Sequence, residues 1–119
     1  MKKLLLIVFI LPLAIRLQAQ TKTKQPETFS ENQFINHIGK KITMCETVYS
    51  FKILNDTVTL LNMGGYYPNQ RFTVVVTGHE IQLNYDDIKG KHICVTGDTS
   101  TYKKKPEVMI YHPDQIQFK

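Results

Sequence analysis

The chain has 119 residues, 15 of them basic and 10 acidic, and its formal net charge is +5. A chain of this length fits one domain with one hydrophobic core. The basic balance is no evidence for nucleic-acid binding, because part of it belongs to the N-terminal segment described next.

Residues 1–19 have the layout of a secretory signal peptide. Lys2 and Lys3 precede an apolar stretch that ends at Ile15, and Ala19 offers a small residue for cleavage. The stretch is shorter than the roughly 20 residues of a membrane-spanning helix. Cleavage would remove three basic residues and no acidic one, which leaves a net charge of +2. We therefore expect an exported protein, periplasmic or secreted, without a membrane span; the alternative is an uncleaved N-terminal anchor.

A short polar segment separates the predicted signal peptide from the main domain, which begins with a predicted helix. Residues 20–28 contain almost no apolar side chains and predict a flexible lead-in to a single domain over residues 29–119. Ser30 and Gln33 have the spacing of a capping box, so a short helix is predicted over Ser30–Ile38.

Beyond the helix the sequence predicts five strands, because β-branched and aromatic residues gather in runs between turn residues. These strands are Lys41–Leu54, Thr57–Met63, Arg71–Thr77, Lys91–Tyr102 and Glu107–Tyr111. Residues 64–70 have the composition of a loop, and His79–Ile88 fits a connector with a few packed apolar side chains. The pattern predicts a mainly β fold, a five-stranded Greek-key barrel with a short N-terminal helix. In such a barrel the first strand is long and pairs with the second and the fourth.

Three stretches resemble a group of small exported bacterial OB-fold proteins: NHIGKKITMCETVYSFKI, LLNMGGYYPNQRFTVVVTG and IKGKHICVTGDTSTYKKKPEVMIYHPDQI. That group is related to the OB-fold modules of nucleic-acid enzymes, such as the anticodon-binding domains of tRNA synthetases. The resemblance covers about Asn36–Ile116 and implies an OB-fold barrel. The chain departs from the group's pattern at two positions. Lys104 replaces a Gly in the turn between the last two strands, and Glu46 replaces a Gly where the first strand bends.

The resemblance implies that a ligand lies on strands two and three, between two loops. The candidate ligand-binding residues are Tyr66, Tyr67, Arg71, Phe72, Lys103, Lys104 and Lys105. Exposed rings can stack bases, and lysines can contact phosphates. For the lysines, the alternative is a solvated hairpin turn that blocks edge pairing. For strand aromatics, the alternative is a place in the core.

No catalytic residue, metal site or cofactor is predicted. The histidines and cysteines lack the spacings of metal ligands. Arg71 is the only arginine after the signal, so no arginine cluster can form for phosphate. The same fact argues against a barrel nuclease of the thermonuclease kind, which needs paired arginines.

Two functional hypotheses follow. The first is a non-enzymatic OB-fold module that binds single-stranded nucleic acid or another oligomeric ligand. The alternative is an exported module that contacts an envelope protein or glycan and does not bind nucleic acid. Fold ancestry and the lysine-rich turn favour the first hypothesis, whereas export and the low net charge favour the second.

Cys45 and Cys94 lie on predicted strands one and four, which are neighbours in a barrel of this type. Export would place them where a disulfide can persist. The alternatives are one bridge between them or two separate buried thiols. The preference for the bridge is only slight, because a disulfide demands strict geometry.

Overall fold

The structure is a computed structural model that describes Phe34 and residues 36–119. Its strands are β1 (Lys41–Asn55), β2 (Val58–Met63), β3 (Phe72–Thr77), β4 (His92–Tyr102), β5 (Lys105–Ile110) and β6 (Ile116–Phe118). The predicted signal peptide and lead-in lie outside the described residues. So does most of the predicted helix Ser30–Ile38, of which residues 36–38 form a turn.

All six strands belong to one sheet, in the order β1-β2-β3-β5-β4-β6, and β1 also pairs with β4. The β3–β5 pairing is parallel and the others are antiparallel. The first strand has 15 residues and lies between β2 and β4, as predicted. The mainly β prediction is confirmed, and the pairings among β1 to β5 form a circuit.

The long strand β1 changes partners near its middle. Residues Lys41–Thr47 pair with β4, and the pairing with β2 begins at Val48. The register shifts between Val48 and Ser50, so β1 contains an irregularity at the point of exchange, which bends a strand locally. No glycine occupies this point of the chain.

The core lies on one face of the strands. It consists mainly of aliphatic side chains that alternate with outward-facing residues. Fully buried members include Val48, Leu61, Met63, Val74, Ile93, Val95, Val108 and Ile110. All three residues of the Val74-Val75-Val76 run are buried, so β3 is covered on both faces here.

The connector between β3 and β4 closes part of this core and contains no strand, as expected. Ile88 is buried, and Tyr85 Oη lies 3.0 Å from Thr59 Oγ1. The Tyr85 ring also packs on Phe51, with ring centroids 5.0 Å apart. The connector therefore contributes apolar contacts of its own.

The end of the chain differs from the prediction. A sixth strand, Ile116–Phe118, pairs with β4 after a 3₁₀ turn over Pro113–Gln115. The Gln115 side chain accepts hydrogen bonds from the backbone N–H groups of Tyr111 and His112, both at 2.9 Å. This bonding folds the proline-containing turn so that the chain rejoins β4, which strand propensity alone does not reveal.

Candidate functional site

Two of the predicted ligand-binding segments lie at the same end of the sheet. The loop of residues 64–70 leads into β3, and the turn at Lys103 and Lys104 leads into β5. These two strands are parallel neighbours, with Thr73 opposite Glu107. Because neighbouring parallel strands begin at the same edge, the loop and the turn are adjacent.

The lysine run forms the tip of the β4–β5 hairpin. Tyr102 and Lys105 pair across the two strands, so Lys103 and Lys104 make a two-residue turn. Their φ values are 49° and 65°, as a type I′ turn requires at both central positions. Lys105 is the first residue of β5, which corrects the prediction that all three lysines lie between strands. All three are exposed, and Lys103 Nζ lies 5.4 Å from the centroid of the Tyr102 ring.

Tyr66 and Tyr67 are 67% and 71% exposed in the β2–β3 loop. The Tyr66 ring packs edge-on against Tyr49 of β1, with centroids 5.2 Å apart. Its carbonyl oxygen accepts from the Asn69 N–H at 2.7 Å. A Cβ on Gly65 would lie 2.6 Å from the Asn69 carbonyl oxygen, so this tight turn requires glycine. The loop therefore presents its tyrosines on a backbone held by local contacts.

Arg71 is committed to a contact within the protein. Its Nη1 lies 2.6 Å from Glu46 Oε2, which makes an ion pair between the start of β3 and β1. The two side chains meet over Gly64, where a Cβ would lie 2.8 Å from Arg71 Cδ and 2.9 Å from Glu46 Cγ. The guanidinium charge is therefore balanced before any ligand arrives.

Phe72 is a correction to the predicted site. It is 2% exposed and belongs to the core, so its ring cannot stack with a ligand on the outer face. The sequence contained a signal for this orientation, because Phe72 has the same parity as Val74 and Val76. The intervening Thr73 then belongs to the outer face.

A row of polar side chains crosses the outer face beside the loop and the turn. Its members are direct cross-strand partners: Ser50, Asn62, Thr73, Glu107 and Ser100. We call this set the polar row. The polar row is not evident in the sequence, because it depends on the register between five strands, and register is not visible within one strand.

Two hydrogen-bond acceptors adjoin Thr73 in the polar row. Gln70 donates from Nε2 to Thr73 Oγ1 at 3.2 Å, while its Oε1 is buried and receives no hydrogen bond from any described residue. The Glu107 carboxylate accepts from Ser100 Oγ at 3.4 Å, and no cation of the described residues pairs with it.

Burial raises the pKa of the Glu107 carboxyl above its ordinary value of 4.5, and the Ser100 hydrogen bond opposes this rise. Because the Glu107 carboxylate offers oxygen atoms, this part of the face is suited to a ligand that donates hydrogen bonds.

Cys45 and Cys94 are joined by a disulfide in the structure. They are direct partners in the β1–β4 ladder. Because Cys94 is bonded in this way, it is not available as a nucleophile. Among residues 36–119 and Phe34, no group of three or more His, Cys, Asp or Glu side chains is arranged to hold a metal ion.

Comparison of the sequence with protein-family models and with curated proteins finds no match. Within the described part of the chain, no helix has the length and apolar character to cross a membrane.

Proposed function

We propose that the domain is a non-enzymatic OB-fold barrel, and that it binds an extended glycan of the cell envelope across the outer face of β2, β3 and β5. The observation that carries the ligand assignment is the partly exposed Glu107 carboxylate of the polar row, a hydrogen-bond acceptor with no cation of the described residues beside it. The loop of residues 64–70 and the β4–β5 turn adjoin this face at the end of the sheet where β3 and β5 begin.

The pairing circuit supports the barrel. Successive cross-strand partners lead from one end of β1 around to its other end, in the order Lys52, Leu60, Val75, Met109, Asp98 and Lys41. A circuit that returns to the same strand at a displaced position has the stagger of a closed, tilted barrel. The antiparallel meander of β1 to β3, the parallel β3–β5 pairing and the connector before β4 also agree with OB-fold topology.

The chemistry of the polar row favours a glycan over a polyanion. Sugar hydroxyl and acetamido groups donate hydrogen bonds, which the Glu107 carboxylate can accept. A phosphodiester offers only acceptors, and it would meet the Glu107 carboxylate with like charge.

Single-stranded nucleic acid is the second candidate, and the lysines of the β4–β5 turn favour it. The remaining cations do not gather there. Arg71 is paired with Glu46, and Lys52 lies beside Leu60 on the row next to the polar row, two residues farther from the loop. Contact with phosphates would therefore depend on one turn.

Export is part of the proposal. The signal-peptide layout of residues 1–19 and the Cys45–Cys94 disulfide both agree with an oxidising compartment. Mass spectrometry of the protein from its host would test this by locating the mature N-terminus. A reduced, uncleaved chain in the cytoplasm would contradict it.

Calorimetric titration with linear β-1,4-linked N-acetylglucosamine oligomers tests the ligand, with a single-stranded oligonucleotide at low and high salt as the competing probe. We expect glycan binding that Glu107→Gln weakens by about tenfold, the loss of one hydrogen bond to a charged acceptor. Asp98→Asn is the matched control, because it makes the same change on the outer face outside the polar row.

The two candidate functions give opposite results. If oligonucleotide binds at low salt while the glycan does not, and Glu107→Gln strengthens that binding, the nucleic-acid function is correct. Equal effects of Glu107→Gln and Asp98→Asn on glycan binding would contradict the assignment of the polar row.

A further inference from the structure

The end of the sheet where β3 and β5 begin carries exposed tyrosines and lysines. Its two segments are the loop of residues 64–70 and the turn of residues 102–105, which contain no Asp or Glu. We call these segments together the lysine–tyrosine edge. Its most exposed rings are Tyr66, Tyr67 and Tyr102, at 67%, 71% and 61%.

From this arrangement we infer that the lysine–tyrosine edge docks the domain on an anionic phospholipid surface. The inference goes beyond the proposed function, because the edge lies at the end of the strands, whereas the polar row lies on their outer face. A domain seated on this edge would leave the outer face available for a ligand.

The charge of the edge is complementary to such a surface. Lys103, Lys104 and Lys105 are consecutive and exposed, and no described residue forms an ion pair with them. Basic residues next to a membrane are attracted by the negative potential of anionic lipids, an effect that falls off within a Debye length. Lys103 and Lys104 form the two-residue turn and Lys105 follows it, so all three lysines lie at the tip of the hairpin.

The rings fit the same surface. Tyrosine combines an apolar ring with a polar hydroxyl, and it is enriched where hydrocarbon meets water. Tyr102 adjoins the lysines, and Tyr67 is presented by the loop that leads into the neighbouring parallel strand. An anionic headgroup layer can therefore contact the lysine charges and the tyrosine rings at the same time.

The hairpin geometry gives further support. Lys103 and Lys104 occupy left-handed backbone positions, with φ of 49° and 65°, where Asn and Gly are the residues that favour the turn. Two lysines at such positions reduce the stability of the turn, which is expected when the side chains serve a role outside the fold.

The test is co-sedimentation with vesicles of phosphatidylglycerol and phosphatidylethanolamine, and with neutral phosphatidylcholine vesicles. The protein is used in the form that accumulates after export. We expect it to bind the anionic vesicles and to dissociate from them at high salt. The turn variant combines Lys103→Asn, Lys104→Gly and Lys105→Gln, and it should bind about 100-fold more weakly. Its Asn-Gly turn favours the hairpin, so loss of binding cannot be attributed to unfolding.

Matched controls separate the edge from general charge and general hydrophobicity. Replacing Lys52, Lys91 and Lys119 with Gln removes the same charge away from the edge, and it should change binding by less than about threefold. Tyr67→Ser with Tyr102→Ser should weaken binding several-fold. Tyr111→Ser, at the other end of β5, should leave binding unchanged.

The results can overturn the inference in two ways. Absence of binding to anionic vesicles would do so, as would equal losses in the turn variant and the triple control. If the tyrosine changes have no effect while the lysine changes do, the edge attracts anions without docking, and the inference is wrong. Loss of glycan binding with vesicle binding intact would instead contradict only the proposed function.

Discussion

Lys104→Gly should stabilise the protein, although it removes a side chain and a charge from an ordered turn. Lys104 has a φ of 65°, in the left-handed region where a Cβ approaches the following carbonyl. A residue with a side chain costs about 1–2 kcal/mol in this conformation. Glycine relieves this cost but loses more backbone entropy on folding, by about 0.5–1 kcal/mol.

The expected net gain in the free energy of unfolding is therefore about 0.5–1 kcal/mol, and relief of repulsion from the adjacent lysines adds to it in the same direction. For a domain of this size, such a gain corresponds to a rise in Tm of about 2–8 °C. Urea unfolding followed by circular dichroism should show a higher midpoint with an unchanged slope, because the surface exposed on unfolding is the same.

Lys105→Gly is the matched control, since it removes the same charge one residue later. Lys105 lies in β5 and pairs with Tyr102, so glycine should destabilise the protein there by about 0.5–1 kcal/mol. The two substitutions should therefore change the free energy of unfolding in opposite directions. If both raise stability equally, the effect belongs to charge repulsion, and the argument from backbone conformation is refuted.

Three further predictions concern the sheet and the outer face. Gly97→Ala should destabilise the protein by more than about 2 kcal/mol in thermal unfolding, because a Cβ there would overlap the carbonyl oxygen of Met109. Reduction of the Cys45–Cys94 disulfide, whose cysteines are 49 residues apart, should lower the free energy of unfolding by about 4 kcal/mol in the chain-entropy model; an unchanged urea midpoint would contradict this. Because burial raises the pKa of Glu107, the stability associated with its neutral form is present below pH 4.5 and is lost as pH rises through the higher value. Glu107→Gln should therefore gain stability relative to the natural protein over that pH interval, and a pH-independent difference would contradict the shift.

The strands were predictable because their residues carry the pattern locally. The runs of β-branched side chains located five strands to within two residues at nearly every end, and the glycine-rich loop of residues 64–70 separated two of them. The sixth strand, Ile116–Phe118, was not predictable from the sequence, because it is three residues long and follows a proline turn. Its pairing depends on tertiary contact with β4, since three residues carry too little periodicity to identify a strand.

The site was predictable only in part, for a different physical reason. The sequence located the exposed Tyr66, Tyr67 and lysine turn, because loops and turns have a local composition. The prediction that Phe72 contacts a ligand is wrong, because Phe72 has the same parity as Val74 and lies in the core. The partner of Arg71 and the members of the polar row depend on register between strands that are distant in sequence, so composition could not identify them.

The exchange of partners in β1 explains why Arg71 is a poor candidate for ligand binding. Residues 45–48 span the point where β1 leaves β4 and joins β2, and each is attached to a different part of the chain. Cys45 bonds to Cys94, Glu46 to Arg71, Thr47 to Gly64, and Val48 to Gly90 and Lys91. These attachments fix the bend in a strand that has no glycine there.

Glycine in place of Glu46 would leave Arg71 without its carboxylate. Glu46 stands where the OB-fold proteins that the sequence resembles carry Gly, and it is also the partner of Arg71. The single arginine of residues 17–119 therefore serves to hold the fold. This use argues against phosphate as the ligand on the outer face.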